Sequence, residues 1–284
     1  LAACGGASTK TTEKATEAAA EQGSEKATEA AKEEKADAGE LRTYKLGVNG
    51  SDHEEWEKAN ELLAKDNIKV EMVEFSDYVK PNEALEDGEI DLNAFQTEIY
   101  FNNFVKERGY TDLGILAYTQ VAPMGIYSSK YKSLDEATGH LIIAIPNDVT
   151  NGGRALKFLE KNGFLTLKKE AGLTPTVMDI EKYNKDVEIV EMVATQIPAS
   201  LPDLSFACIN NGVAKDAGLT LKNDAIVYED YKEPDMKNYW NIIAAKKDRI
   251  ESEDFQKIKK AYNSDEVKQV VLEHYDGQSI PVWD

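Results

Sequence analysis

From about residue 41 onward, short apolar runs alternate with helix-period stretches, the rhythm of an α/β protein. Residues 44–48 (YKLGV) predict a first strand, broken by Asn49-Gly50-Ser51-Asp52. A helix follows to about Asp66, with Trp56, Ala59, Leu62 and Leu63 on one face. Residues 68–75 then alternate apolar and polar, with Ile68, Val70 and Met72 on one side, a second strand. Asn67 and Asn93 fall where turns or strand ends are expected. Pro81 opens a short helix that ends at Gly88. Residues 90–95 predict a third strand, and an aromatic-rich helix carrying Ile99, Tyr100, Phe101, Phe104 and Val105 stops at Gly109. A fourth strand begins at Leu113. The order β-α-β-α-β-α-β predicts a mostly parallel sheet between helices.

Residues 120–127 (QVAPMGIY) put Pro and Gly inside an extended apolar run, the pattern of a strand crossing between two lobes. A second αβ set starts near Leu134 and continues through strands at 187–193 and 206–210. Between these two strands, residues 194–203 (ATQIPASLPD) hold two prolines and read as a loop with about one helical turn. Residues 239–245 (YWNIIAA) form a candidate return crossing, with Trp240 expected to pack, and residues 251–284 predict an amphipathic helix pair with a Pro/Trp tail. The expected fold is therefore α/β: a two-lobed, periplasmic-binding-protein-like clamshell, type II-like, with two crossing strands and a ligand in the cleft. Residues 42–122 plus 242–284 form lobe 1 and residues 123–241 form lobe 2.

The stretch 141–159 (LIIAIPNDVTNGGRALKFL) carries the strongest local chemistry. A buried strand stops at Pro146, a polar loop leads to Gly152-Gly153-Arg154, and a helix begins with Thr150 or Asn151 as its cap. Unpaired first-turn N–H groups, glycines that admit a ligand to the backbone and a guanidinium fork together read as an anion seat. An ordinary βα turn whose arginine pairs with Asp148 or another carboxylate explains the same residues equally well.

Composition narrows the function. A net charge of −19 without a basic stripe argues against nucleic acid and against a basic membrane face. Cys208 lies in an apolar strand and reads as a small buried hydrophobe, and His53, His140 and His274 have no metal-ligand spacing with it. No metal or cofactor is expected. Neither a nucleophile motif nor a phosphate-cradling loop is present, so a non-enzyme is expected. Residues 8–40 are nearly all Ala, Glu, Lys, Thr and Asp, and the string EKATEAA occurs at 13–19 and again at 25–31. Residues 8–40 have no large apolar side chain, and residues 5–41 are expected to be a disordered tether. Leu1-Ala2-Ala3-Cys4-Gly5 reads as a bacterial lipobox, which makes residues 1–4 the remnant of a signal peptide and Cys4 an acylated anchor.

Several strings then converge: residues 75–85 (FSDYVKPNEAL), Gly88, residues 90–96 (IDLNAFQ), residues 123–128 (PMGIYS), residues 145–148 (IPND) and residues 150–156 (TNGGRAL). In this order, from about Tyr44 to the C-terminus, they resemble the methionine-binding lipoproteins of bacterial ABC importers, the MetQ/NlpA type. The resemblance implies a lipid-anchored, monomeric receptor on the extracytoplasmic face of the cell membrane. Such a receptor captures L-methionine or a close relative between its lobes and delivers it to a permease with ATPase subunits. It further implies that Arg154 holds the ligand carboxylate. Asn210 and Asn241 would hold its amino and carboxylate groups, and Tyr78, Phe95 and Tyr100 would surround the thioether, which favours aromatic walls. Asn151 and Gly152 complete the expected site. Thr97 stands where the family motif has histidine, and this keeps open a methionine dipeptide, D-methionine or another small apolar amino acid. Packing explains the aromatics and turns explain the asparagines if the resemblance is set aside. A surface adhesin or immune-facing lipoprotein is the alternative from a different class.

Overall fold

The computed structural model describes Gly39–Asp284. The lipobox with Cys4, and the expected tether up to residue 38, lie outside the described residues.

Alternation along the chain becomes structure first in β1 (Arg42–Asn49), where Leu46 and Val48 are fully buried. Helix α1 (Glu54–Leu63) buries Trp56, Ala59 and Leu63 against it. The single turn after α1 closes on Asn67, which adopts the left-handed conformation asparagine tolerates. Then come β2 (Ile68–Phe75) and α2 (Lys80–Asp87), with Pro81 in the first turn of α2 and Gly88 ending it in the left-handed region. The expected third strand shortens to β3 (Leu92–Asn93). Asp91 ahead of it turns its carboxylate onto the Lys45 N–H, and the chain after it swings out to start α3 (Glu98–Arg108). Strand β4 (Leu113–Val121) is longer than its apolar run predicts.

The chain leaves this half through Ala122, Pro123 and Met124 and enters β5 (Gly125–Tyr127), so the expected crossing is two strands in different sheets. There follow β6 (Leu141–Pro146), α4 (Val149–Lys161), a hairpin of β7 (Leu165–Leu167) and β8 (Ile180–Tyr183), and β9 (Val187–Met192). The two-proline stretch, expected as a loop with about one helical turn, is nearly continuous helical turns, the middle one α5 (Ile197–Ser200). Pro198 and Pro202 each sit in a first turn, where a missing N–H costs nothing. Strand β10 (Phe206–Ile209), α6 (Asn211–Asp216) and β11 (Ala225–Tyr228) complete this half. The return is β12 (Trp240–Lys246), followed by α7 (Lys247–Ile250), α8 (Glu253–Tyr262), α9 (Asp265–His274) and β13 (Ile280–Pro281).

Two sheets result. The first runs β13-β4-β12-β3-β1-β2 and the second β11-β5-β10-β6-β9. In the first, β1 is parallel to β2 and β3, but β12 inserts antiparallel between β3 and β4. The expectation of a mostly parallel sheet is corrected on this point, because a strand from the far end of the chain supplies the pairing. Each lobe has its own core: Leu46, Trp56, Phe255 and Tyr262 in the first, Ile143, Leu156, Phe164 and Phe206 in the second. Cys208 lies fully buried in β10, and burial pushes its thiol pKa up, so it is packing and not chemistry.

Candidate ligand-binding site

Strand β6 delivers the chain to Asp148, and there the local structure departs from expectation. Asp148, not Thr150 or Asn151, caps α4: its Oδ1 accepts from the Asn151 N–H at 2.9 Å and from the Thr150 hydroxyl at 3.0 Å. An aspartate two or three residues earlier outcompetes them because its carboxylate is acceptor-only and charged at the positive end of the helix. The first turn therefore holds the chain's own carboxylate, and the seat expected for a ligand anion at that turn is filled.

The glycines also serve a different purpose from the one expected. A Cβ at Gly152 would lie 2.7 Å from the Pro146 carbonyl oxygen, and one at Gly153 would lie 3.0 Å from the Pro175 carbonyl oxygen. They let α4 lie against the strand end and the neighbouring loop. Gly152 is not among the residues lining the cleft.

Arg154, one turn further, is only 3% exposed. Its Nε and Nη2 engage Glu229 at 2.5–3.1 Å, and Nη2 also donates to the Ala122 carbonyl at 2.9 Å. The guanidinium lies over the Tyr239 ring, 4.2 Å from its centroid. Burial pushes the Tyr239 phenol up to about 12, although the guanidinium pulls the other way. Arg154 thus touches the outgoing crossing through Ala122 and the approach to the return crossing through Tyr239. The fork expected for a ligand is occupied on one edge by an internal carboxylate, and the Nη1 side has no bond of this set.

Between the lobes lies a cavity of about 1330 Å³. Its walls include Tyr78, Phe95, Thr97, Tyr100, Asn151, Arg154, Asn210 and Asn241. Tyr78, Phe95 and Tyr100 form a three-sided cage with ring centroids 6.0–6.2 Å apart. The Tyr100 hydroxyl donates to the Tyr78 carbonyl at 2.8 Å, and burial raises both phenol pKa values, so the rings stay neutral. Thr97 caps α3, its hydroxyl accepting from the Tyr100 N–H at 3.3 Å, and its backbone pairs with Asn241. Among the described residues no cluster of His, Cys, Asp and Glu is arranged to hold a metal, and no helix is long and apolar enough to cross a membrane.

Asparagine orientation at this site follows from Asp148. The Asn151 amide N–H group donates to both Asp148 oxygens at 3.0–3.1 Å, which turns the Asn151 carbonyl toward Asn210. Asn210 Nδ2 donates to that carbonyl at 2.8 Å, and Asn210 Oδ1 is left buried without a protein partner.

A family model described as "NlpA lipoprotein" matches residues 44–283. The chain belongs to the NlpA lipoprotein family. Among similar proteins of this family, the D-methionine-binding lipoprotein MetQ of Escherichia coli (strain K12) is 40% identical over 243 residues, covering 84% of this chain and 88% of the relative. A nutrient-binding protein from Burkholderia cenocepacia, solved bound to methionine, is 35% identical with a TM-score of 0.79, over 84% of this chain and 100% of that one. The substrate-binding protein of a methionine transporter from Streptococcus pneumoniae is 36% identical with a TM-score of 0.80, over 85% and 96%. Like these, the chain has the two-lobed α/β fold of substrate-binding proteins.

Several residues that shape this NlpA-family cleft carried no signal in the sequence. Glu229 lies in an unremarkable polar stretch and Tyr239 heads the apolar return crossing, and only the fold brings them to Arg154. Behind Phe95, Asn82, Asn93 and Gln96 form a fully buried amide network with bonds of 2.7–2.9 Å. It pins the segment that carries Phe95 and Thr97 to α2; the three amides fall inside the strings that carry the family resemblance, but nothing in those strings shows that they bond to one another.

Proposed function

We propose that this protein is the substrate-binding receptor of an ABC importer and captures L-methionine, or a close relative, in the cleft between its lobes. The observation that carries the reading is one cavity in which a three-ring cage faces a buried guanidinium and an acceptor without a partner, a match for thioether, carboxylate and ammonium. In this reading Arg154 Nη1 meets the carboxylate, and Asn210 and Asn241 serve the polar end. Tyr78, Phe95 and Tyr100 enclose the tail, while Thr97 and Asn151 shape the walls. The names of the relatives, binding proteins for D-methionine and methionine, support this ligand class. Cys4 anchors the chain by lipid on the extracytoplasmic face, and residues 5–41 tether a monomeric receptor that hands its ligand to a permease and ATPase complex.

Titration calorimetry of refolded, ligand-free protein with both methionine enantiomers and a panel of amino acids tests the proposal. Saturable binding of a methionine enantiomer supports it, and failure of every methionine derivative to bind removes it. The cavity exceeds the roughly 300–1,000 Å³ that encloses drug-sized ligands, which favours including a methionine-containing dipeptide in the panel as the second reading.

A further inference from the structure

Three polar groups, Asn151 buried and Asp148 and Asn210 half-buried, form a relay from the N-terminus of α4 to the wall of the cleft. A carboxylate only accepts hydrogen bonds, whereas an amide both donates and accepts and can turn either way. The order of the relay therefore has a direction. Asp148 takes the amide protons of Asn151, Asn151 must then offer its oxygen, and Asn210 answers with its amide protons. What remains is Asn210 Oδ1, buried and without a protein partner, on a residue that lines the cavity. Reversing any member would place two donors or two acceptors face to face, at a cost comparable to an unmade buried hydrogen bond. Asp148 also makes itself felt across the cleft, since its charge contributes to the raised phenol pKa values of Tyr78 and Tyr100.

We infer that Asp148 is a specificity-determining positioning residue: acting through Asn151, it fixes Asn210 as a pure acceptor and so selects ligands that present a charged amine at this end of the cleft. The inference rests on the proposed methionine-like ligand. Asp148 does not touch the ligand; it sets the polarity of the group that does. Without it the Asn151 and Asn210 amides turn freely, and half of their arrangements present N–H groups to an ammonium, which repel it. A second effect acts in the same direction, because a negative charge in a low-dielectric wall favours a cation nearby.

The test uses two ligands that differ only in the amine: methionine, and 4-(methylthio)butanoate, which keeps the thioether and carboxylate. Wild-type protein is expected to bind methionine at least about tenfold more tightly, since the analogue leaves Asn210 Oδ1 unpaired. Asp148→Asn and Asp148→Ser both retain a good helix cap, so α4 stays formed. Each is expected to weaken methionine by about tenfold and to leave the analogue within about twofold, so that discrimination collapses. Equal weakening of both ligands in both variants would reduce Asp148 to a helix cap and overturn the inference. Unchanged discrimination would overturn it as well. Should wild-type protein bind neither ligand, the proposed function fails instead, and the two failures are distinguished by the wild-type titration.

Discussion

Arg154 and Glu229 form a buried pair across 75 positions of sequence, with Nη2 2.5 Å from Oε2. Glu229 Oε2 also accepts from the Met124 N–H at 2.7 Å, and the Glu229 N–H donates back to the Met124 carbonyl at 3.0 Å. The pair therefore ties α4 to the outgoing crossing. A ligand bound to the guanidinium would therefore be linked through Glu229 to the segment that joins the two sheets.

The first prediction concerns this pair. Glu229→Ala leaves a nearly inaccessible guanidinium uncompensated and is expected to destabilise the fold by about 3–5 kcal/mol, read by chemical denaturation. Replacing both members together by apolar residues of similar volume should recover most of that loss, because neither charge is then stranded. A double variant no more stable than the single one would mean that the pair is not the source of the effect.

Arg154→Ala is expected to weaken methionine binding by about 2–4 kcal/mol, because a ligand carboxylate would be desolvated with no cationic partner. Calorimetry on the folded variant reads this directly. An unchanged affinity would take Arg154 out of the site.

Phe95→Ala opens one wall of the aromatic cage. Loss of about 1–3 kcal/mol of methionine affinity is expected from apolar contact and sulfur–ring contact, with a smaller loss for alanine, whose side chain does not reach the rings. Equal losses for the two amino acids would place the ligand tail elsewhere.

A pH-dependent contribution to stability lies far from the cleft. Arg42 donates to both oxygens of Asp254 at 2.6 and 3.0 Å, and Tyr44 donates to one at 2.5 Å, which holds the Asp254 carboxyl below its usual range. A carboxyl with a lowered folded pKa adds stability above the unfolded value near about 3.9, and this stability fades as pH falls through the lower folded value. Asp254→Asn is accordingly expected to melt at a lower temperature than wild type at neutral pH, with the gap closing below about pH 4. A gap that stays constant with pH would show that the pairing does not depend on charge.

At the membrane end, Cys4→Ser is expected to move the protein from the membrane fraction to the soluble fraction while leaving methionine affinity unchanged. Loss of binding together with loss of the anchor would contradict the tether reading.

Much of this was legible in the sequence wherever the cause is local. The bounds of β2, the proline-led α2 and the glycine stops at Gly88 and Gly109 follow from alternation, fixed φ and left-handed backbone, all properties of neighbouring residues. Tyr78, Phe95 and Tyr100 were nominated through a family resemblance, because spacing alone does not distinguish a cage from a core. The misses are long-range or competitive. Strand β12 enters the first sheet from far along the chain, and no periodicity encodes that partner. Asp148 took the cap from Thr150 and Asn151 because three capping residues within four positions competed and the charged acceptor won. Gly152 and Gly153 signalled close approach correctly, but what approaches is backbone of the same chain. Glu229 was invisible because an acidic residue after an apolar strand is ordinarily solvated.

The most direct test is a crystal structure of the protein with methionine bound. Ligand density with its carboxylate on the Nη1 side of Arg154, its amine on Asn210 Oδ1 and its sulfur among Tyr78, Phe95 and Tyr100 is the predicted result. Density lodged elsewhere, with the Nη1 side of Arg154 unengaged and those three rings facing only solvent, would contradict it.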